Sequence, residues 1–319
     1  MLSKKEFADM AIEEIIRNLK ERGIENVTAS VTTVVKQNDQ KLTGITLKSK
    51  EENAAPTLYV DDLYESYKDG ADVKDIASGM TDRFLETKNM PKPPEVDLSY
   101  ESVKDRLSVR LIETKRNKEF LSNMPYANAG CGLALISDIN MGEDRGGDWR
   151  IAVNNHVLEM LGTDKETLLT DSVRNSIIID PPVLTDMSQA IFSQERENRL
   201  DRNEPVDPSD VSNMYVLTNT TGSFGAAALF SPDVKEKAAE LIGGGYYVLP
   251  SSVHETILVP FSAGVSEKEL CDMVKQANRT VVEEKDVLSD NVYRYDPGSR
   301  SLSRVEPDKE RRTAMTEGR

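Results

Sequence analysis

The sequence predicts an α+β fold in which antiparallel sheets carry helix pairs packed on them. Three observations predict it. Apolar residues alternate at period two in neighbouring stretches joined by turns too short for a crossover, so those strands run antiparallel. Capped amphipathic helical patterns fall between groups of strands and do not follow single strands in strict alternation, an order that argues against a doubly wound parallel sheet. Hydrophobic residues make up 38% of the 319 positions and charged ones 30%, enough apolar matter for a packed core.

In chain order, Ser3-Lys-Lys-Glu6 has the form of a capping box, with hydroxyl and carboxylate each satisfying the other's orphan N–H. Ile12, Ile15, Ile16 and Leu19 then share one helical face, with Gly23 past its end. Alternation from Val27 to Lys36, a turn at Asn38-Asp39 and a return from Leu42 to Lys48 predict a hairpin. Thr57 to Val60 is a short strand, followed by helices over Asp62–Tyr67 and Val73–Thr87. Pro91, Pro93 and Pro94 make a stiff connector and divide the chain into an N-terminal α+β part, 1–95, and a larger α+β part, 96–305.

Beyond the prolines, Arg106–Glu113 reads as a strand and Lys115–Ser122 as a short helix. Gly132–Ile139 and Asp148–Val153 form an antiparallel pair around an exposed, glycine-rich loop, Asn140–Gly147. Asn154 or Asn155 caps a helix ended by Gly162, and Thr163-Asp-Lys-Glu166 is a second capping box that opens a helix to Ile177. Leu184–Gln194 reads as helix, and Glu195–Ser212 as an exposed charged loop.

Met214–Phe261 is the densest stretch: a strand pair turning at Gly222-Ser-Phe-Gly225, a helix opened by Ser231-Pro232 and stopped by Gly243-Gly-Gly245, then a second strand pair. A third capping box, Ser266-Glu-Lys-Glu269, precedes a stripe of Leu270, Met273, Val274, Ala277 and Val281. Val292–Tyr295 and Ser301–Val305 close a hairpin over Pro297-Gly298, and 306–319 is a charged tail expected to be disordered.

The formal charge of −15 argues against direct binding of nucleic acid, because the short basic runs are flanked by acids. No apolar run approaches the roughly 18 residues that span a bilayer, so no membrane contact is expected, and the location expected is the cytoplasm. Cys131 and Cys271 stand far apart without metal-type neighbours, so neither a disulfide framework nor a zinc site is expected. Cys131, between two glycines, is the better placed thiol, but no nearby cation lowers its pKa. Cys271 reads as packing.

Candidate chemistry centres on Ser252, His254 and Glu255. The imidazole could act as a base beside a hydroxyl or carboxylate, yet in extended chain His254 and Glu255 point to opposite faces, and Ser252 lies about 7 Å from His254 between Cα atoms. The competing reading is a turn whose polar side chains bond backbone. His156 lacks a partner at metal-binding spacing and reads as a partly buried, satisfied side chain. Gly222–Gly225 and Gly243–Gly245 match no phosphate-loop pattern. Asp61-Asp62, Asp180 and Glu283-Glu284 read as ordinary surface acids. No cofactor or metal is expected. Tyr59, Tyr64, Tyr67, Tyr246, Tyr247, Tyr293 and Tyr295 supply amphipathic area suited either to an interface or to core margins.

Lys41-Leu-Thr-Gly-Ile, Ala55-Pro-Thr-Leu-Tyr-Val-Asp, Tyr246-Tyr-Val-Leu-Pro-Ser-Ser-Val-His-Glu and Leu288-Ser-Asp-Asn-Val-Tyr-Arg-Tyr resemble an uncharacterised family of intracellular bacterial proteins. Its members occur in anaerobic Gram-positive bacteria, often near mobile genetic elements. The resemblance runs from Met1 to about Tyr295. Val153–Val259 is also distantly similar to a second uncharacterised bacterial family. Neither defines a catalytic residue; both imply a bacterial cytosolic protein. The expected function is a soluble, non-enzymatic module that binds an unidentified protein, with a link to a mobile element's upkeep or to host conflict. The alternative is a hydrolase or other small-molecule enzyme with a site near His254, Ser252 and Glu255, and a third reading is an acidic decoy for a DNA-binding protein.

Overall fold

The structure, a computed structural model, describes residues 1–49, 57–89, 97–144, 147–192, 200, 214–231 and 233–306. The chain divides into two compact units, Met1–Val96 and Asp97–Arg319. The fold is α+β with antiparallel sheets, as its residue patterning predicts. The proline connector, nearly all of the 195–212 segment and the tail beyond residue 306 lie outside the described residues.

The first unit begins with α1 (Lys4–Glu21), whose capping box at Ser3 and Glu6 forms as expected. The buried face of α1 is Phe7, Ala8, Ala11, Ile15 and Leu19, rotated from the predicted isoleucine stripe. A hairpin follows, β1 (Val27–Val35) and β2 (Lys41–Ser49), and β3 (Thr57–Tyr59) completes a sheet of order β1-β2-β3. The hairpin turn works because Asn38 and Asp39 both adopt positive φ, 63° and 51°, a region Asn and Asp tolerate. Helices α2 (Asp61–Lys68) and α3 (Val73–Asn89) complete a core around Phe7, Ile15, Ile45, Leu47 and Phe84.

The second unit opens with α4 (Tyr100–Val103), β4 (Leu107–Glu113) and α5 (Lys118–Leu121). Next come β5 (Tyr126–Gly130), β6 (Leu133–Asp144) and β7 (Gly147–Ala152). The β5 strand carries too little apolar patterning to be read from sequence. Long β6 pairs with β4, β5 and β7, all antiparallel. The expected loop at 140–147 is mostly strand: β6 runs on to Asp144 and β7 starts at Gly147, with a register shift between Asn140 and Glu143. Pairing of the two backbones overrides the polar, glycine-rich composition there.

Helix α6 (Asn155–Leu161) is capped by Asn154 and ended by Gly162 at φ 68°. Helix α7 (Lys165–Ile179) is capped by Asp164, not by Thr163: the carboxylate accepts from the N–H groups of Glu166 and Thr167. The predicted helix from Leu184 is corrected too. Pro182–Asp186 is a strand, β8, so helix α8 begins at Met187 and runs to Phe192, where the described residues of this segment end. Val183 to Asp186 are all buried, which erases the alternation that marks a strand, and Pro182 is tolerated because β8 begins there at a sheet edge.

Strand β9 (Tyr215–Asn219) is followed by a 3-10 turn at Gly225–Phe230, not by the second strand of a hairpin. Helix α9 (Val234–Ile242) ends at Gly243 with φ 83°, the predicted stop. Strands β10 (Tyr246–Pro250) and β11 (Thr256–Pro260) form the predicted antiparallel pair. Helix α10 (Glu267–Thr280) carries its capping box but buries Leu270, Cys271 and Val274. Met273 and Val281, predicted for that face, are exposed. The hairpin of β12 (Tyr293–Asp296) and β13 (Ser301–Arg304) completes a sheet of order β13-β12-β10-β11-β9-β8. Tyr246, Tyr293 and Tyr295 are core residues at 0%, 1% and 0% exposure, so they offer no interface; Tyr59 is exposed.

Candidate functional site

Strand geometry places four charged and polar side chains on one face of the β4-β6-β7 sheet. Ser108 stands opposite Asp138, and Asp138 opposite Ala152. Even-numbered residues of all three strands therefore share a face, and Arg110 and Arg150, each two residues along, join them. Arg110 grips Asp138 with two hydrogen bonds of 2.8 Å, from Nε to Oδ2 and from Nη2 to Oδ1. Arg150 donates from Nη1 to Ser108 Oγ at 2.9 Å and from Nη2 to Asp180 Oδ2 at 3.0 Å. Asp180, at the C-terminus of α7, is buried, which corrects its reading as a surface acid.

Phe224 lies on this charged row, with the Arg110 guanidinium 3.9 Å from its ring centre and that of Arg150 at 5.7 Å. A ring face attracts both cations while shielding them from water. Phe224 itself holds φ 53°, unusual for a bulky side chain. Behind it Gly225 permits a very close approach: a Cβ there would lie 2.2 Å from Thr218 Oγ1 and 2.7 Å from the backbone oxygen of His254. Beside Phe224, a pocket of about 10 Å³ is lined by Ser176, Asp180, Asn219 and Ser231, the size that suits one water. Asp180 Oδ1 is buried and has no hydrogen-bond partner among the described residues.

His254 meets Phe224 from the other side, with ring centres 5.2 Å apart. The Phe224 N–H donates to Nδ1 at 3.1 Å. That ties up the lone pair on Nδ1 and leaves the ring proton on Nε2, 3.4 Å from Asp286 Oδ1. The imidazole thus braces two loops. Ser252 does not join it as a dyad, because its hydroxyl accepts from the His254 backbone N–H at 3.0 Å. Glu255 turns to Ser251 Oγ at 3.4 Å. The structure gathers the three sequence candidates into one turn, but their side chains do not converge on one point.

The remaining candidates are dispersed. His156 is exposed on the first turn of α6, not partly buried as expected. Cys131 takes φ 55° between its glycines, and burial pushes its thiol pKa up. Cys271 is buried, and burial raises its pKa as well. Asp61 accepts from Lys4 Nζ at 2.7 Å and from the Thr43 N–H at 2.9 Å. Among the described residues no group of three or more His, Cys, Asp or Glu could hold a metal ion.

Sequence reasoning missed Arg110, Asp138, Arg150, Phe224 and Asp286. A signal existed: Arg110 and Asp138 each interrupt an apolar strand, and a lone charge in such a run must either find a partner or not be buried.

In comparison with known families, the chain matches one family model over residues 4–297. The chain belongs to the DUF5688 family, a family of unknown function. Neither a curated protein nor a solved structure matches it. In this DUF5688 protein, no helix among the described residues is long and apolar enough to cross a membrane.

Proposed function

We propose that the protein is a soluble, cytoplasmic, non-enzymatic module that binds another protein, linked to the upkeep of mobile elements, and that it docks its partner in the groove beside Tyr126. The observation that carries this reading is the groove itself. It measures about 520 Å³ between β5 and the start of α7, with Tyr126, Ala127 and Leu169 among its walls and Asp164, Lys165 and Glu166 at its rim. Tyr126 is 36% exposed and faces Lys165 Nζ, 5.1 Å from its ring centre. An accessible aromatic anchor over an apolar floor is the usual centre of a protein contact, and the net charge of −15 favours a basic partner segment around an apolar anchor. The engagement of Ser252, His254 and Glu255 in holding their own turn supports the same reading.

The test is capture of a partner from the native host, followed by affinity measurement with Tyr126→Ala. A folded Tyr126→Ala chain that binds at least tenfold more weakly supports the groove. Undiminished binding would refute it. The alternative, a hydrolase at His254, has the His254–Asp286 pairing in its favour; turnover of a metabolite panel, abolished in a folded His254→Ala chain, would establish that alternative.

A further inference from the structure

The free edge of the N-terminal sheet has the features of a strand built to pair with its own copy. Strand β1 is an outer strand, bonded on one side to β2 through nine uninterrupted residue pairs without a bulge. The Lys36 N–H donates to Gln40 O at 2.8 Å, so residue 36 faces β2. Alternation then turns Thr28, Ser30, Thr32 and Val34 toward β2, and the N–H and C=O groups of Val27, Ala29, Val31, Thr33 and Val35 outward. These outward groups bond no other described residue.

Natural sheet edges are usually guarded by lysine, proline, a bulge or short length. Val27-Thr-Ala-Ser-Val-Thr-Thr-Val-Val35 has no charge, proline or glycine, and its β-branched residues favour extended chain. In a chain of net charge −15, two copies repel over most of their surfaces, and this uncharged edge is where they approach at least cost.

We propose that two copies of this chain join through β1, antiparallel about a two-fold axis at Val31, so that the three-stranded sheet continues across the dimer. The outward residues are symmetric about Val31: Val27 meets Val35, Ala29 meets Thr33, and Val31 meets Val31, each pair exchanging both hydrogen bonds. Odd residues then oppose odd ones. The side of Val27, Ala29 and Val31, which packs on the core, continues into its counterpart, and the exposed hydroxyl side of Thr28, Ser30 and Thr32 does the same. Each copy's Glu25 arrives at the end where the other's Lys36 lies, bringing opposite charges together. The contact is isologous and closes at two copies.

The test is sedimentation equilibrium of the full chain beside Thr33→Pro and Thr33→Lys. Thr33 is exposed, and its N–H faces away from β2, so proline there removes an outward donor and spares the bonds to β2. The expected result is a reversible dimer whose dissociation constant rises at least tenfold in each variant. Should Thr33→Pro lose its circular dichroism spectrum, Thr33→Lys, which makes no demand on the backbone, decides. A wild-type chain that stays monomeric at its highest soluble concentration overturns the proposal, and so does a dimer that folded Thr33→Lys leaves intact.

Discussion

Removing Asp138 isolates the central charge of the buried row. Its side chain is 0% exposed and its partner Arg110 13%. Asp138→Ala deletes both charge-assisted bonds and takes the paired carboxylate from a guanidinium that has little access to water. Breaking a buried pair in this way costs about 3–5 kcal/mol, a large share of the roughly 5–15 kcal/mol that holds a typical domain folded. For a unit of this size, a change of 1 kcal/mol moves the melting midpoint by about 2–4 °C, so the expected drop is about 6–20 °C. Trp149, the one tryptophan in the chain, sits on β7 beside Arg150, and its fluorescence reports this unit selectively. The double variant Arg110→Met/Asp138→Ala should be less unstable than the two single losses combined, because both halves of the buried ion pair are removed together. A single-variant loss below about 1 kcal/mol, the range of an exposed pair, would refute the reasoning, and so would strict additivity in the double-mutant cycle.

Three further outcomes follow from the same geometry. His254→Ala should lower stability by about 1–2 kcal/mol in urea denaturation, because the Phe224 N–H loses its acceptor. Gly225→Ala should cost roughly 1–3 kcal/mol or prevent folding, since two of the three atoms that its methyl would meet are backbone; a wild-type midpoint would contradict the close approach. Glu269 is held below its ordinary 4.5, first by the Ser266 hydroxyl and then by the Ser266 backbone N–H. A carboxyl with depressed folded pKa contributes stability that is present above 4.5 and lost as pH falls through the folded value. The wild-type advantage over Glu269→Gln should therefore be present at neutral pH and fade in acid, as read by denaturation at a series of pH values.

Local chemistry was legible and long-range pairing was not. The capping boxes at Ser3 and Ser266, the Gly243 stop and the β10–β11 pair depend on residues within a few positions of one another. The Thr163 box failed because Asp164, one residue on, is the stronger acceptor and takes both N–H groups. Pro182–Asp186 looked non-extended because the unit covers it on both sides. The 3-10 turn at Gly225 replaces a strand because Thr218 and His254, from two other segments, crowd that glycine. The candidate turn at 251–255 was visible, but its actual neighbours, Phe224 and Asp286, lie about thirty residues away on either side.

The order β13-β12-β10-β11-β9-β8 has a consequence for synthesis on the ribosome. Tyr246–Pro250 emerges early and finds β11 at once, but its other flank stays bare until Tyr293 has left the exit tunnel. A message cut short between those points yields a polypeptide with a sticky apolar ribbon exposed, a natural substrate for chaperones and proteases.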